Sequence, residues 1–277
     1  MKQFKPFRFL RILMLLVVAS CASKAHPVLN DLNQQVDQMK VARQEPRSIV
    51  FLITEDVNNY EAHKTVPLFA EMLRKKHGFR VTVLIGSGTH GAYRYPGMEP
   101  LQDADLLIVF ARRIALPVDQ MRAIKEYLAK GKPLIGIRTA HHAFAALEKI
   151  EEGFEAWPEF TPDILGCINR GYGATEPGTD ISVVPEAEGH YILKRLPARK
   201  WHAKGQAYHI APLVDRAAVV LLEGTMDGRT DPVAWTRMSG DSKVFYTSLG
   251  HPADFEMEEF ISLLTGAIKW ALDPVAK

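Results

Sequence analysis

The feature that most constrains the fold is a regular alternation of apolar, β-forming runs with amphipathic helical stretches between residues 48 and 137. The runs are rich in Val, Ile and Leu, which is typical of strands buried on both faces. Because helical crossovers pack back on their own sheet, this order predicts an α/β fold with helices on both faces of a mostly parallel sheet. The predicted strands are Ser48–Ile53, Arg80–Ile85, Asp105–Phe110 and Pro133–Ile137, with helices around Val66–Leu73 and Pro117–Gly131.

The second half of the chain continues with β-rich segments and closes with a helix. From residue 152 a glycine-rich stretch lacks helical periodicity, and we interpret it as a long excursion over the mouth of a site. One α/β domain is therefore predicted over residues 48–273. Its remaining elements are strands at 181–184, 218–222, 232–236 and 244–247, and a helix at 255–271.

The first 20 residues have the pattern of an export signal. Four positive charges precede an apolar run at 12–18 that is short for a membrane span. Residues 18–21, Val-Ala-Ser-Cys, resemble the lipobox of bacterial lipoproteins, whose cysteine is lipidated. We expect a lipoprotein signal peptide at 1–20, lipidation at Cys21 and a polar tether at 21–47. The protein would then be an exported lipoprotein, anchored in the outer membrane or on the periplasmic face; the alternative is a plain secretory signal.

The charge of the chain argues against binding to nucleic acid. Four of its 34 Lys and Arg residues lie in the signal, so 30 remain against 32 Asp and Glu, and no basic run is visible. The domain therefore lacks the positive surface that recognises phosphate backbones. With Cys21 lipidated, Cys167 is the one remaining cysteine, so no intramolecular disulfide is expected.

The stretch GIRTAHHAF, residues 136–144, concentrates the side chains best suited to chemistry. In such folds ligands bind beyond the carboxyl ends of the strands, so the loops after Ile53, Phe110 and Ile137 form the candidate site. We expect a helix to begin after Ile137 and to present its positive end to an electron-rich oxygen. One histidine of the pair His141 and His142 would transfer protons while the other packs or caps; which one faces the substrate is left open.

Several spaced blocks resemble, in order, the trehalose-utilisation (ThuA-like) family over residues 48–273. This resemblance implies the fold of class I glutamine amidotransferases, a flavodoxin-like three-layer α/β sandwich. It also implies a role in sugar metabolism, with members linked to disaccharides that pass through 3-keto-sugar intermediates. The blocks are TEDVNNYEAHKTVP, DADLLIVFARR, GKPLIGIRTAHHAF, DPVAWTRM, KVFYTSLGH and FISLLTGAIKWAL.

The same resemblance argues against amidotransferase activity. Amidotransferases of this fold place a nucleophilic cysteine in a turn of the form G-x-C-x-G. On this frame Gly136 and Ala140 take the glycine positions, and Arg138 takes the position of the cysteine. An arginine cannot act as that nucleophile, because its guanidinium stays protonated at physiological pH.

The candidate catalytic residues are His141, His142 and Glu55, the last of which follows the first strand. Glu55 would orient a histidine or bind sugar hydroxyls; helix capping is the alternative for it. Tyr60 and His63 are weaker candidates. Two candidates for substrate binding are Arg138, for its hydrogen-bond donors, and Trp235, for stacking on a sugar ring. The family resemblance places three more near the site: Tyr208, His209 and His251.

No cofactor is indicated, since no GxGxxG motif follows the first strand and no CxxC or HExxH spacing occurs. The alternative is a divalent metal, held where two or three of the histidines at 141, 142, 209 and 251 converge with Glu55. An oxidation step would fall to a partner enzyme, a sugar dehydrogenase.

The leading interpretation is an enzyme that acts by acid/base chemistry on a keto-sugar or disaccharide derivative, as an isomerase, lyase or hydrolase. The alternative is a non-catalytic, surface-tethered sugar-binding lipoprotein. A third interpretation, with Cys167 as a nucleophile, requires a reactive thiolate at a position better suited to a buried small residue.

Overall fold

The computed structural model describes residues 45–173 and 177–274, and the unit that begins at Arg47 forms an α/β domain. The predicted signal peptide at 1–20, the lipidation site Cys21 and residues 21–44 of the predicted tether lie outside the described residues. Across the described ranges, no helix combines the length and the apolar character needed to cross a membrane.

A nine-stranded sheet forms the core of the domain and changes character halfway across. One half is parallel, with the spatial order β2 (Arg80–Ile85), β1 (Ser48–Ile53), β5 (Leu106–Phe110), β7 (Leu134–Ile137) and β13 (Ser242–Thr247). The other half is antiparallel and continues from β13 through β12 (Arg229–Ser239), β11 (Val219–Met226), β9 (Thr179–Val183) and β10 (Lys200–Ala203). Two small sheets pair β3 (Ser87–Thr89) with β4 (Ala92–Arg94) and β6 (Leu116–Pro117) with β8 (Phe154–Glu155).

Three long helices cover the two faces of the sheet: α1 (Ala62–His77), α2 (Val118–Ala129) and α3 (Glu258–Leu272). Alternate residues of β1 enter opposite cores, since Phe51 packs with α1 and α3 whereas Leu52 packs with α2. Every residue of β1 is buried, as expected for a strand between two helical layers. The predicted flavodoxin-like, three-layer α/β sandwich is confirmed, and the parallel half carries the strand ends at which a ligand is expected.

The expected helix after β7 is wrong. The chain instead makes a 3₁₀ turn at Arg138–His142 and then continues as a loop. Arg138 has a left-handed φ of +45°, and the right-handed turn spans only five residues, which is too short to build a helix dipole. The positive end of a helix dipole is therefore not available here.

The stretch after residue 152, predicted to be irregular, contains a turn of π-helix at Phe160–Leu165. It contacts the Arg138–His142 turn, and the Thr161 hydroxyl donates a hydrogen bond to the His141 carbonyl. Sequence periodicity did not reveal it, because a single π-helical turn is too short to show a repeat.

Candidate functional site

A cleft of about 270 Å³ lies beyond the carboxyl ends of β1, β5 and β7, where the strand pattern places a ligand. Loops after each of these strands contribute to its walls, and Tyr172 joins them from the long segment after β8. The residues that line it are Val57, Asn58, Tyr60, Arg112, Arg113, Thr139, His142, Tyr172 and Tyr208.

Asn59 holds the three strand ends together beneath the cleft. It is fully buried, and its amide nitrogen donates to the carbonyls of Thr54 and Phe110, at 3.0 and 2.8 Å. Its side-chain oxygen accepts a hydrogen bond from the hydroxyl of Thr139. One side chain therefore connects the loops after β1, β5 and β7, and it fixes the floor against which a ligand would rest.

The turn after β7 is strained at Arg138, whose side chain is buried and is not part of the cleft lining. It is fully buried, and its guanidinium lies 3.8 Å from the ring centre of Tyr60 and donates to the Ser248 carbonyl at 2.8 Å. Tyr60 and Tyr208 separate it from the cleft that they line. Because Arg138 is buried, the expectation that it binds substrate directly is wrong. Its guanidinium instead packs against Tyr60 and Tyr208 and supports these two walls of the cleft.

The backbone carbonyl of Arg138 is fixed from two sides. The Tyr246 hydroxyl donates to it at 2.7 Å, and Nδ1 of His141 lies 2.9 Å away. A carbonyl can only accept, so neutral His141 carries its proton on Nδ1 and has a lone pair on Nε2. Arg138 thus sets the tautomer of His141 through its backbone rather than through its side chain.

The same constraint passes from His141 to His142. Nε2 of His141 lies 3.0 Å from Nδ1 of His142, and because Nε2 of neutral His141 accepts, Nδ1 of His142 donates. Nε2 of neutral His142 is then left with a lone pair, and this nitrogen is buried without a hydrogen-bond partner among the described residues. Of the two histidines, His142 lines the cleft, whereas His141 is 1% exposed. His142 therefore faces the cleft, and His141 lies behind it in the core.

Burial keeps both histidines neutral. Desolvation, aided by Arg113 and Arg138, lowers the pKa of His141 to about 3 despite its bond to the Arg138 carbonyl. Desolvation also places the pKa of His142 far below its usual value, and His141, Arg113 and Arg112 lower it further. At neutral pH the hydrogen-bonded chain is therefore made of two neutral rings, and its tautomers are fixed.

Sequence reasoning missed the two arginines that follow β5. Both line the cleft, where Nη1 of Arg112 lies 3.2 Å from a carboxylate oxygen of Asp56. The same oxygen of Asp56 lies 2.7 Å from Nε2 of His90. The Arg112-Arg113 pair stands at a predicted strand end, and this position was the signal that could have identified it.

Two of the other predicted site residues lie close to the cleft. Tyr208 lines it, with its ring centre 4.2 Å from that of His141, and its backbone pairs with Tyr172 across the opening. His251 lies behind Tyr60, with their ring centres 6.2 Å apart, and it caps the 3₁₀ turn that follows it.

The structure does not bring the remaining predicted residues into the cleft. Glu55 is exposed on the loop after β1 and is not part of the lining. Nδ1 of His209 lies 3.0 Å from Asp231, outside the lining. Trp235 is fully buried and donates to the Leu165 carbonyl at 2.9 Å, so its ring offers no face to a sugar and belongs to the core. Cys167 is equally buried, which raises its pKa to about 12.

The metal alternative required several histidines to converge with Glu55. Among the residues that the structure describes, no three His, Cys, Asp or Glu side chains are grouped so that they could hold an ion. The histidines at 141 and 142 are adjacent, but Glu55 and His209 lie outside the cleft lining.

Comparison with known proteins identifies the family. The sequence matches the family model ThuA, described as trehalose utilisation, over residues 47–271. No curated protein matches the chain significantly. A ThuA-like protein from Parabacteroides merdae has a similar structure, with a TM-score of 0.62 and 19% identity over 82% of this chain and 90% of that chain.

A second structure, of a ThuA-like protein from Bacteroides uniformis, has a TM-score of 0.61 and 16% identity over 83% of this chain and 93% of that chain. At these identities the two structures establish the shared fold. The family model itself spans most of the sequence, including every strand of the central sheet. The protein therefore belongs to the ThuA family, the family of trehalose utilisation.

Proposed function

We propose that the protein is an enzyme of carbohydrate metabolism in which His142 acts as a general base on a keto-sugar or keto-disaccharide. The observation that carries the proposal is the hydrogen-bonded chain from the Arg138 carbonyl through His141 to His142. Because that chain fixes both tautomers, Nε2 of His142 is left as a lone-pair acceptor on a residue that lines the cleft.

In the proposed reaction, Nε2 of His142 removes a proton from the carbon next to the sugar carbonyl. The electron pair of the broken C–H bond moves into a C=C bond, and the carbonyl oxygen becomes an enolate oxygen. Arg112 lines the same cleft and supplies positive charge to that oxygen. For isomerisation, protonated His142 returns its proton to the former carbonyl carbon, while the hydroxyl proton of the first carbon passes to the enolate oxygen and a new carbonyl forms on the first carbon. For elimination, the enolate re-forms the carbonyl, the bond to the glycosidic oxygen on the next carbon breaks as a C=C bond forms, and His142 protonates the departing oxygen.

His141 acts as a positioning residue in this scheme. It is buried behind His142, and its Nε2 accepts the Nδ1 proton of His142 throughout the cycle. When His142 takes a second proton on Nε2, this hydrogen bond becomes charge-assisted and therefore stronger. The negative charge that develops on the substrate also offsets the arginines that lower the pKa of His142.

The experiment measures exchange of the substrate proton with solvent. The protein is incubated in D₂O with a 3-keto-disaccharide at several concentrations, and loss of the proton beside the ketone is followed by ¹H NMR. His142→Asn is the sharpest variant, because its amide replaces Nδ1 and its bond to His141 but lacks Nε2. We expect exchange to slow by about 100-fold or more, as for loss of a general base.

The matched control is His202→Asn, a change at an exposed histidine outside the cleft lining. It should exchange the proton at the parental rate. Absence of exchange by the parent protein, or equal exchange by His142→Asn, would contradict the proposed role of His142.

A binding role without turnover is the second candidate, and one observation favours it. The pKa of His142 lies far below its usual value because of desolvation and adjacent cations, which makes the ring a weak base in the free protein. Three tyrosines in the lining, Tyr60, Tyr172 and Tyr208, are well suited to contact sugar rings. A keto-disaccharide that binds the parent protein without proton exchange would support this candidate.

We further propose that the protein works outside the cytoplasm as a lipoprotein and receives its keto-sugar from a sugar dehydrogenase. The support is the lipobox-like sequence that ends at Cys21, together with the need for an oxidant to create the carbonyl. Incorporation of labelled palmitate into the expressed protein, and its loss in Cys21→Ser, tests the anchor. Equal labelling of both proteins would refute it.

A further inference from the structure

The charge of the cleft does not match a neutral sugar. Of the nine residues that line it, two are arginines and none is an aspartate or a glutamate. Arg112 is partly neutralised by Asp56, at 3.2 Å. Arg113 makes no side-chain hydrogen bond or ion pair with any residue in the described ranges 45–173 and 177–274. One cation in the cleft therefore lacks a partner.

Arg113 is also tied to the candidate base. Its backbone has φ +52°, and its N–H donates to the carbonyl of His142 at 3.1 Å. Its charge lies close enough to influence His142, Tyr172 and Tyr208, which all line the cleft. A left-handed conformation is costly for a residue with a side chain, so the surrounding structure holds this arginine in place. The backbone of Arg113 is thus held beside His142, and its unpartnered side chain belongs to the lining of the same cleft.

We propose that the cleft binds a sugar acid and that Arg113 pairs with its carboxylate. The planar guanidinium fork matches the two oxygens of a carboxylate, and such charge-assisted pairs are stronger than neutral hydrogen bonds. A neutral sugar would cover Arg113 without neutralising it, which carries a desolvation cost. A single unpaired cation also matches a monoanion better than a phosphate dianion. The substrate class thereby narrows to a sugar bearing both a carbonyl and a carboxylate.

The inference rests on the proposed function only in placing the reacting carbon of this sugar at His142. It gives the arginine a second effect, since a carboxylate on Arg113 offsets the charge that disfavours protonation of His142. The acid substrate would therefore make His142 a better base than a neutral sugar does. Binding of the acid group itself does not depend on any turnover.

The test compares two ligands that differ at one carbon. Binding of D-glucuronate and D-glucose, which carry a carboxylate and a hydroxymethyl group at the same position, is measured by isothermal titration calorimetry at low ionic strength. We expect the parent protein to bind glucuronate at least about tenfold more tightly, and Arg113→Gln to abolish that difference. Arg122→Gln removes the same charge from the exposed surface of α2 and should preserve the difference.

Equal affinity for the two ligands in the parent protein, including no measurable binding of either, would overturn the inference. So would a difference that persists in Arg113→Gln, or tighter binding of glucose 6-phosphate than of glucuronate. Proton exchange from a neutral keto-disaccharide without any preference for acids would sink this inference and leave the role of His142 intact. Preferential binding of the acid by a parent protein that exchanges no proton would support this inference and contradict the role of His142.

Discussion

The burial of His141 makes the stability of the domain depend on pH. Its pKa is about 3 in the folded protein, against about 6.5 for an unperturbed histidine in the unfolded chain. Between these values the unfolded chain binds a proton that the folded protein does not. The stabilisation is therefore complete above pH 6.5 and is lost as the pH falls.

The magnitude follows from the two pKa values. At pH 5 about 97% of unfolded His141 is protonated and almost none of the folded residue, so linkage predicts a loss of about 2 kcal/mol relative to pH 7.5. Because pH 5 lies well above the folded pKa, this figure is set almost entirely by the unfolded state. His141→Asn retains a donor for the Arg138 carbonyl and removes the titrating ring.

Urea unfolding at pH 7.5 and pH 5.0 measures the effect. We expect the destabilisation caused by His141→Asn to be smaller by about 2 kcal/mol at pH 5.0, since the variant has no proton to take up at this position. Tyr246→Phe is the matched control. It removes the other hydrogen bond to the same carbonyl, at 2.7 Å, and no group that titrates below pH 10.

Tyr246→Phe should therefore have the same effect at both pH values. An unchanged effect of His141→Asn between pH 7.5 and 5.0 would mean that folded His141 is already protonated at pH 5. Both its nitrogens would then donate, and the argument that leaves a lone pair on His142 would fail.

Two further predictions concern other buried groups. Asn59→Ala removes three buried hydrogen bonds beneath the cleft and should lower the free energy of unfolding in urea by about 3 kcal/mol or more. The control Asn58→Ala, on the exposed loop beside it, should change the free energy of unfolding by less than about 1 kcal/mol. Similar losses of stability in the two variants would refute the role of Asn59. Cys167, whose pKa burial raises to about 12, should react with iodoacetamide at pH 8 only after unfolding, and mass spectrometry that shows rapid alkylation of the native protein would revive a nucleophilic thiol.

The parallel half of the sheet could be predicted from sequence because each element carries its own signal. The strands before and after α1 are short runs rich in Val, Ile and Leu, and their observed bounds, Ser48–Ile53 and Arg80–Ile85, are the predicted ones. Two other predicted strands begin one residue later than expected, at Leu106 and Leu134. β1 and β5 are buried along their whole length, which leaves little room for polar residues and makes their pattern clear.

The antiparallel half was only partly predicted, for an equally local reason. The strands at 218–222 and 232–236 extend in the structure to Met226 and back to Arg229, around a turn at Asp227-Gly228. Both turn residues have positive φ, as a tight hairpin requires. Polar residues near the turn hide the strand ends, although the Asp-Gly pair is itself a hairpin signal.

The site, too, could be predicted only where its features depend on residues that are close together in the sequence. His141 and His142 stand out because they are neighbours in sequence, but their order from core to cleft depends on where the Arg138 carbonyl points. The burial of Arg138 depends on Tyr60 and Ser248, which come from other parts of the chain. The sequence around Arg138 contains no signal for such contacts, so its side chain was predicted to bind substrate although it is buried and supports Tyr60.

The strained turn after β7 has a use that does not require a nucleophile. In amidotransferases of this fold the turn displays a cysteine, whereas here the residue at that position is buried and its carbonyl accepts from Tyr246 and His141. A left-handed residue turns its carbonyl away from the direction of the strand, which is how one oxygen meets two side-chain donors. The strained backbone of Arg138, which costs about 1–3 kcal/mol, therefore orients His141 and thereby leaves a lone pair on Nε2 of His142.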